Sequence, residues 1–270
     1  MILNKSRTIW LAAPVLLAVV VGAWFFLTWS RITDQDIEDT ENEEQEGVVA
    51  NDPKRQELER IAKQLAGLKT EELIDRLTDV ASEGIGSHST AWAAGFLALD
   101  EEPEFRGGVL GSKKPEVPPT MRELVRRGLR ALPDLIKHLE DARSTSVVVG
   151  PQGPFGGTWH SDEYDCRARD PKKCPQAVNT RRQVHVGEYT LRVGDLCYVA
   201  IGQIVNRKLN ALRYQPTACR VINSPVENSE LAEAVRKDWS GLTADAHRQS
   251  LTQDALDPSP FAAPAALKRL

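Results

Sequence analysis

The 270-residue chain lacks the short motifs that mark the common classes of enzyme. It contains no G-x-S-x-G nucleophile turn, no H-E-x-x-H zinc motif and no glycine-rich dinucleotide motif. The segment Gly108–Lys114, GVLGSKK, has no G-K-[ST] ending and follows no apolar strand, so it does not indicate a phosphate-binding loop. These absences do not exclude an enzyme, because catalytic groups are defined by geometry and not by sequence order.

The chain also lacks an excess of basic residues. Its 34 Lys and Arg against 38 Asp and Glu give a formal net charge of −4 at pH 7. Domains that bind nucleic acid are typically basic, so no nucleic acid is expected as a partner. The content of 41% hydrophobic and 27% charged residues is that of an ordinary globular protein.

One long apolar run lies near the beginning of the sequence. Residues Ile9–Trp29 contain no charged side chain, and about 20 such residues in a helix span the bilayer core. A cleavable signal peptide, the alternative, would have a shorter apolar region and a small-x-small cleavage site, which only Thr28 and Ser30 approach. We therefore expect an uncleaved signal-anchor, a single-pass transmembrane helix over residues 9–29.

Basic residues on either side of this run predict its orientation. Lys5 and Arg7 precede it, and only Arg31 follows it closely. Lys and Arg favour the cytoplasmic side of a membrane. We expect residues 1–8 to be cytoplasmic and the bulk of the chain to be extracytoplasmic, at the membrane.

An acidic segment, residues 30–51, follows the apolar run. Its carboxylates are Asp34, Asp36, Glu38, Asp39, Glu41, Glu43, Glu44 and Glu46. Such a block repels itself and stays solvated, which predicts a disordered linker. The alternative of a calcium-binding tract lacks the alternating ligands and the fixed glycine of a calcium loop.

Residues 120–145 carry a regular helical pattern. TMRELVRRGLRALPDLIKHLEDARST predicts two short amphipathic helices separated at Gly128. Their apolar stripes are Met121, Leu124 and Val125, then Leu132, Leu135, Ile136 and Leu139. The pattern resembles one helical hairpin of a HEAT repeat. Because a HEAT array needs at least three stacked units, the resemblance implies one α-hairpin within a helical domain.

The segment Asp195–Asn206, DLCYVAIGQIVN, is apolar on most sides, which predicts a buried helix. Later helices are predicted from Ser224-Pro225 and from Thr243, the latter with Leu251 and His247 facing inward. The stretch 191–251 resembles membrane-anchored bacterial proteins without an assigned activity, so this resemblance implies no reaction.

Residues 146–193 read as a β and loop insertion between helices. Residues 183–186 and 189–193 alternate in polarity around Gly187-Glu188, a pattern typical of a two-residue β-hairpin. The predicted fold class is mainly α: an N-terminal transmembrane helix, then a helical domain over residues 52–256 with the HEAT-like hairpin and this small β-hairpin insertion. A Pro/Ala-rich tail, residues 257–270, follows.

Cysteine is scarce, with four in the chain. Cys166 and Cys174 are separated by seven residues in a polar loop. A disulfide between them, favoured in an oxidising compartment, would contribute roughly 2–3 kcal/mol. Free thiols, or a metal site completed by His160 and His185, are the alternatives, but structural zinc prefers closer cysteines, so no metal is favoured. Cys197 and Cys219, in apolar surroundings, are small hydrophobes or pair with each other.

No catalytic residue is assigned from the sequence. Asp162, Glu163 and Asp165 could act in acid–base chemistry with His160, although a solvated loop explains them more simply. The predicted function is a membrane-anchored extracytoplasmic binding or scaffold protein with a protein partner and no cofactor. The alternative is a membrane-tethered hydrolase that uses residues 160–188.

Overall fold

The computed structural model describes residues 53–81, 88–89, 117–151, 156–167, 184–214, 219–257, 262–267 and 269–270. Contacts divide the chain into two units, Met1–Gln56 and Glu57–Leu270. Only residues 53–56 of the first unit are described. The apolar segment 9–29 and the acidic segment 30–51 lie outside the described residues.

The described residues form eight α-helices and seven β-strands. The helices α1 to α8 are Pro53–Ala66, Thr70–Asp75, Pro119–Arg127, Leu132–Lys137, Val193–Val205, Ser229–Trp239, Ala244–Ala255 and Ala262–Leu267. The strands β1 to β7 are His88–Ser89, Ser144–Val149, Thr158–His160, Val184–Val186, Tyr189–Arg192, Leu212–Tyr214 and Arg220–Ile222. Two 3₁₀ turns, Arg76–Asp79 and Gly128–Arg130, follow α2 and α3.

Five of these strands form one mixed sheet in the order β1-β6-β7-β3-β4. Strands β6 and β7 are antiparallel, as are β3 and β4, whereas β1 with β6 and β3 with β7 are parallel. The parallel pair β3 and β7 aligns Thr158 with Arg220 and His160 with Ile222. Strands β2 and β5 form a separate antiparallel pair with an irregular register.

The predicted fold class is wrong. Instead of a small insertion in a helical domain, the described chain has a five-stranded sheet to which residues 88–89, 212–214 and 220–222 contribute. Among the described residues, no helix combines the length and apolar character needed to cross a membrane. The additional strands are two or three residues long and pair with distant residues, so local alternation of polarity gives little signal for them.

The predicted β-hairpin across Gly187-Glu188 is also wrong. Strands β4 and β5 lie where the alternation places them, but β4 pairs with β3 and β5 pairs with β2. The turns that two-residue hairpins favour, types I′ and II′, have a positive φ at one or both central residues. Neither Gly187 nor Glu188 has a φ in the left-handed region, so the chain passes from one sheet to the other at this point.

Helix α5 lies at the centre of the core. Every one of its residues is buried, which confirms the buried helix predicted for this segment. It contacts α3 and α4, whose inward residues Met121, Leu124, Leu132 and Leu135 are also buried. The two amphipathic helices are confirmed, and Gly128, with φ 56°, begins the turn between them.

The sequence pattern predicted the start of helix α7 correctly but not the start of helix α6. Thr243 caps α7 as predicted, because its Oγ1 accepts a hydrogen bond from the Ala246 N–H at 3.2 Å. Helix α6 begins later than predicted, with Asn228 as its cap and not Ser224. The Ser224 hydroxyl is engaged elsewhere in the core, with Asp195.

Candidate functional site

The acidic loop that follows β3, residues 161–167, is tied to its neighbours. Glu163 accepts a hydrogen bond at 2.8 Å from Nε of Arg213 on β6, and its N–H donates to Oδ1 of Asn223 at 2.8 Å. Asp165 Oδ2 accepts from the Lys208 N–H at 2.8 Å. This loop is therefore held in place by its carboxylates and is not solvated throughout.

The far end of the same loop is bound to helix α6. The Tyr164 hydroxyl donates to Asp238 Oδ2 at 2.8 Å, and the Arg167 N–H reaches the same oxygen at 3.1 Å. Burial and the neighbouring Asp238 raise the pKa of Tyr164 well above its ordinary range, so the hydroxyl keeps its proton. Tyr164 is thus an anchor and not a base.

The cysteines divide into two groups. Cys166 is buried and disulfide-bonded, whereas Cys197 and Cys219 do not form a disulfide with each other. Burial raises the pKa of the Cys197 thiol well above its ordinary range, which makes it an unreactive core residue. Cys174 lies outside the described residues, so its pairing with Cys166 stays a prediction.

The histidines of the proposed metal set do not meet. Trp159 pairs with His185 across β3 and β4, and their rings contact each other edge to face with centroids 4.9 Å apart. Successive side chains of a strand point to opposite faces, so His160 lies on the other face, where its ring contacts Tyr189 at 5.5 Å. No group of three His, Cys, Asp or Glu among the described residues could hold a metal ion.

Asp162 is the unusual residue of the acidic loop. It has φ 54° and is buried, and its Oδ2 has no hydrogen-bond partner in the described part of the chain. A non-glycine residue in the left-handed region is uncommon, and such strain with an unsatisfied buried oxygen is found at functional sites. Asp162 lies within residues 160–188, the region of the hydrolase alternative.

A second polar cluster lies inside the core, at the N-terminus of α5. Asp195 accepts hydrogen bonds from the Arg192 N–H at 2.8 Å, from the Tyr189 hydroxyl at 2.8 Å and from Ser224 Oγ at 2.5 Å. The Tyr189 hydroxyl also lies 2.8 Å from Ser224 Oγ. Asp195 and Ser224 are fully buried, so this cluster joins β5, α5 and the start of the 224–228 segment and does not present a nucleophile.

Burial raises the pKa of Asp195 to about 6, because its hydrogen bonds from Ser224, Arg192 and Tyr189 offset the loss of water only in part. When Asp195 is protonated, the three side chains can close a ring of hydrogen bonds. The carboxyl donates to Tyr189, Tyr189 donates to Ser224, and Ser224 donates back to the other carboxyl oxygen. Within this ring, each side chain donates one hydrogen bond and accepts one.

The raised pKa predicts a pH dependence of stability. Because the folded state holds this proton more tightly than the unfolded state, the contribution is full below about pH 4 and is lost as the pH rises to about 6. The loss should be on the order of 2–3 kcal/mol. Urea midpoints measured from pH 4 to 7 should fall in the wild type, and Asp195→Asn should remove this part of the slope.

The matched control for this prediction is Asp141→Asn. Burial opposes ionisation of Asp141, but hydrogen bonds from Arg143 and His138 lower its pKa to about 2. Its contribution is therefore lost only as the pH falls below its ordinary value of 3.8, and the slope between pH 4 and 7 should stay as in the wild type. Equal slopes in wild type and Asp195→Asn would contradict the prediction.

A cavity of about 280 Å³ lies between the turn of the α3–α4 hairpin and the end of the chain after α8. It is lined by Val125, Arg126, Arg127, Gly128, Leu129, Arg130, Ile204, His247 and Arg269. We call it the basic cavity, because four arginines and a histidine line it together with apolar residues.

Two of the arginines at the basic cavity share one carboxylate, that of Glu123. Burial would raise the pKa of Glu123, but hydrogen bonds from Arg126 and Arg127 lower it below its ordinary value, so this carboxylate stays ionised. Its oxygens lie 2.6 Å from Arg126 Nε and 2.9 Å from Arg127 Nε. One carboxylate therefore serves two guanidinium groups, and Arg130 and Arg269 add two more positive charges.

Burial also affects the remaining titratable groups of the cavity. It lowers the pKa of Arg269 to about 10 and lowers the pKa of His247. His247 Nε2 lies 2.9 Å from the carbonyl oxygen of Ile204, so the neutral ring with a proton on Nε2 donates this bond. The positive charge of the cavity is thus carried by arginines.

The sequence contained a partial signal for this cavity. The run MRELVRRGLR places Arg126, Arg127 and Arg130 close together, but Arg269 belongs to the predicted tail and joins them only in the fold. Comparison of the chain with protein-family models, with curated proteins and with solved structures finds no match.

Proposed function

We propose that this chain is a membrane-anchored extracytoplasmic binding protein, and that the basic cavity is where it contacts its protein partner. The observation that carries the proposal is the convergence of four arginines on one concave, partly apolar surface. Ligand-binding sites are commonly concave and mostly apolar with a few converging polar groups. Arginine is also enriched among the residues that dominate binding energy at interfaces.

The location in this proposal comes from the sequence. The uncharged run Ile9–Trp29 is long enough to anchor the chain, and the acidic segment 30–51 would act as a spacer. Such a spacer would hold residues 57–270 away from the bilayer. The hairpin that resembles a HEAT unit would then present its turn, Gly128–Arg130, to a protein partner.

The alternative of a hydrolase that uses residues 160–188 has less support. Glu163 is bound by Arg213, and Ser224 and Asp195 are fully buried, so these groups are committed to contacts within the protein. Asp162 is the observation in its favour, through its strained backbone and its buried carboxylate. One such residue supplies neither a nucleophile nor a base with a partner.

Site-specific photo-crosslinking tests the proposed function. In native membranes, the full chain carrying benzoylphenylalanine in place of Leu129, which lines the cavity, should give a discrete protein adduct. The same probe in place of Val148, an exposed residue of β2, should not give this adduct. Arg130→Glu should abolish the adduct, because the partner would lose an attractive charge at the cavity.

The control variant for this experiment is Arg248→Glu. Arg248 is on α7 and does not line the cavity, and its side chain is 72% exposed. This variant should leave the Leu129 adduct unchanged. No adduct at Leu129, the same adduct from both probe positions, or an adduct equally sensitive to both charge reversals would refute the proposed site.

A further inference from the structure

We propose that residues 224–228, which we call the latch turn, form a pH-dependent latch over the buried carboxyl group of Asp195. The latch turn is closed when this carboxyl group is protonated and opens when it ionises. It connects β7 to α6, whereas the basic cavity is lined by other residues. The inference is therefore separate from the proposed binding site and goes beyond the proposed function.

The latch turn packs against the first turn of α5. Ser224 Oγ lies 2.5 Å from Asp195 Oδ1, and Val226 is so close to Gly194 that a Cβ on the glycine would lie 2.6 Å from Val226 Cγ2. Ser224 Oγ also accepts hydrogen bonds from the N–H groups of Val226 at 3.2 Å and of Glu227 at 3.3 Å. One hydroxyl group thus joins the backbone of the latch turn to the carboxyl group beneath it.

Asp195 is fully buried, and no cationic side chain in the described part of the chain pairs with it. Its hydrogen bonds come from neutral donors: the Arg192 N–H, the Tyr189 hydroxyl and Ser224 Oγ. The Arg192 guanidinium donates instead to the Ala142 carbonyl oxygen at 3.0 Å. A buried charge without an opposite charge is costly, so ionisation of Asp195 favours a rearrangement that admits water.

One charged group on the latch turn adds to this effect. Burial raises the pKa of Asp195 to about 6, and the negative charge of Glu227 acts in the same direction. When Asp195 ionises, two like charges repel each other across the contact between the latch turn and α5. This repulsion favours the open turn.

Other titratable groups surround the cluster. They belong to β3, β5, α5 and the segment after α4, and they are His160, Tyr189, Cys197, Asp141 and Arg143. Burial raises the pKa of Tyr189 and of Cys197, so both keep their protons. Asp141 and Arg143 are paired with each other, and His160 contacts the Tyr189 ring.

The position of the latch turn explains why this segment opens. Val226 is half-buried and Glu227 is exposed, so the latch turn is a thin cover between the solvent and Asp195. Its displacement would hydrate the carboxylate without disturbing α5, which is buried on all sides. With the proton present, the ring of hydrogen bonds through Tyr189 and Ser224 satisfies the carboxyl group and keeps the latch turn closed.

Hydrogen exchange of the full chain, purified in a non-ionic detergent and followed by mass spectrometry at residue resolution, tests this inference. Protection factors of the Val226 and Glu227 amides, corrected for the intrinsic pH dependence of exchange, are compared at pH 4.5 and pH 7. If Asp195 regains its ordinary pKa of 3.8 in the open state, protection should be roughly 20-fold lower at pH 7. Asp195→Asn has no titrating carboxyl group and should give equal protection at both pH values.

The matched control is the start of α7. The Thr243 hydroxyl accepts a hydrogen bond from the Ala246 N–H at 3.2 Å, a bond of the same kind as those of Ser224, and protection of Ala246 should not fall between the two pH values. Glu227→Gln changes an exposed residue and should fold normally even if Asp195→Asn does not. It should make the fall in protection at Val226 smaller, because the repulsion is removed.

Three results would overturn the inference. The first is equal protection of Val226 and Glu227 at both pH values in the wild type. The second is an equal fall at Ala246, because unfolding of the whole domain would then explain the exchange. The third is an undiminished fall in Asp195→Asn or, if that variant does not fold, in Glu227→Gln.

Discussion

Replacing Gly194 with alanine should lower the free energy of unfolding by about 3 kcal/mol. Gly194 is in the first turn of α5, where its N–H donates to the Asp141 carbonyl at 3.0 Å. A Cβ there would meet the Leu139 carbonyl oxygen and would lie 2.6 Å from Val226 Cγ2. Since α5 is buried on all sides, it cannot move away without disturbing the core.

The direction of the stability change in Gly194→Ala distinguishes a steric clash from the helix propensity of alanine. A glycine in a helix usually costs about 0.5–1 kcal/mol relative to alanine, so Gly194→Ala would be stabilising if the helix alone decided the result. Gly187→Ala is the control, because a Cβ at Gly187 meets nothing within 4 Å, and we expect a change within about 0.5 kcal/mol. Urea unfolding measures both variants, and equal midpoints would disprove the close approach of α5 to Leu139.

Replacing Arg127 with alanine should also cost about 3 kcal/mol, because two roles are lost together. Its Nη2 donates to the carbonyl oxygens of Leu65 at 3.1 Å and of Leu68 at 2.7 Å, where the end of α1 leaves carbonyls without helical partners. Its Nε binds the buried Glu123 at 2.9 Å. The variant would leave these carbonyls without this donor and would deprive Glu123 of one of its two arginines.

Arg126→Ala provides a matched comparison. Arg126 binds the same carboxylate at 2.6 Å, but its side chain is 42% exposed. We expect this variant to cost about 1 kcal/mol or less, as exposed ion pairs do. Chemical denaturation at neutral pH separates the two variants. If Arg126→Ala were as destabilising as Arg127→Ala, the end of α1 would not depend on Arg127.

Local sequence patterns predicted the helices whose apolar residues recur at helical spacing. The stripes Met121–Val125 and Leu132–Leu139, the all-round apolar helix α5 and the cap at Thr243 all follow from the spacing of neighbouring residues. The five-stranded sheet was not predicted from these local patterns. Its strands β6 and β7 are three residues long and join partners far along the chain, which a local pattern does not encode.

Even less of the candidate site than of the fold could be predicted from the sequence. Sequence reasoning considered histidines, cysteines and acids near residue 160 only as alternatives and assigned no catalytic or metal site. The sheet places His160 and His185 on opposite faces. The basic cavity instead joins Arg130 to Arg269, two residues whose proximity depends on tertiary packing. The cluster of arginines at residues 126–130 was visible in the sequence. The burial of Arg269 depends on the fold and could not be predicted.

Photo-crosslinking at Leu129 tests the central claim most directly, because it asks whether a protein partner contacts the basic cavity. In native membranes, we expect a discrete protein adduct from the probe at Leu129, which lines the cavity, and its loss in Arg130→Glu. Arg248→Glu, which changes an exposed arginine outside the cavity, should leave the adduct unchanged. An adduct that persists unchanged in Arg130→Glu would contradict the claim that the partner binds at the basic cavity.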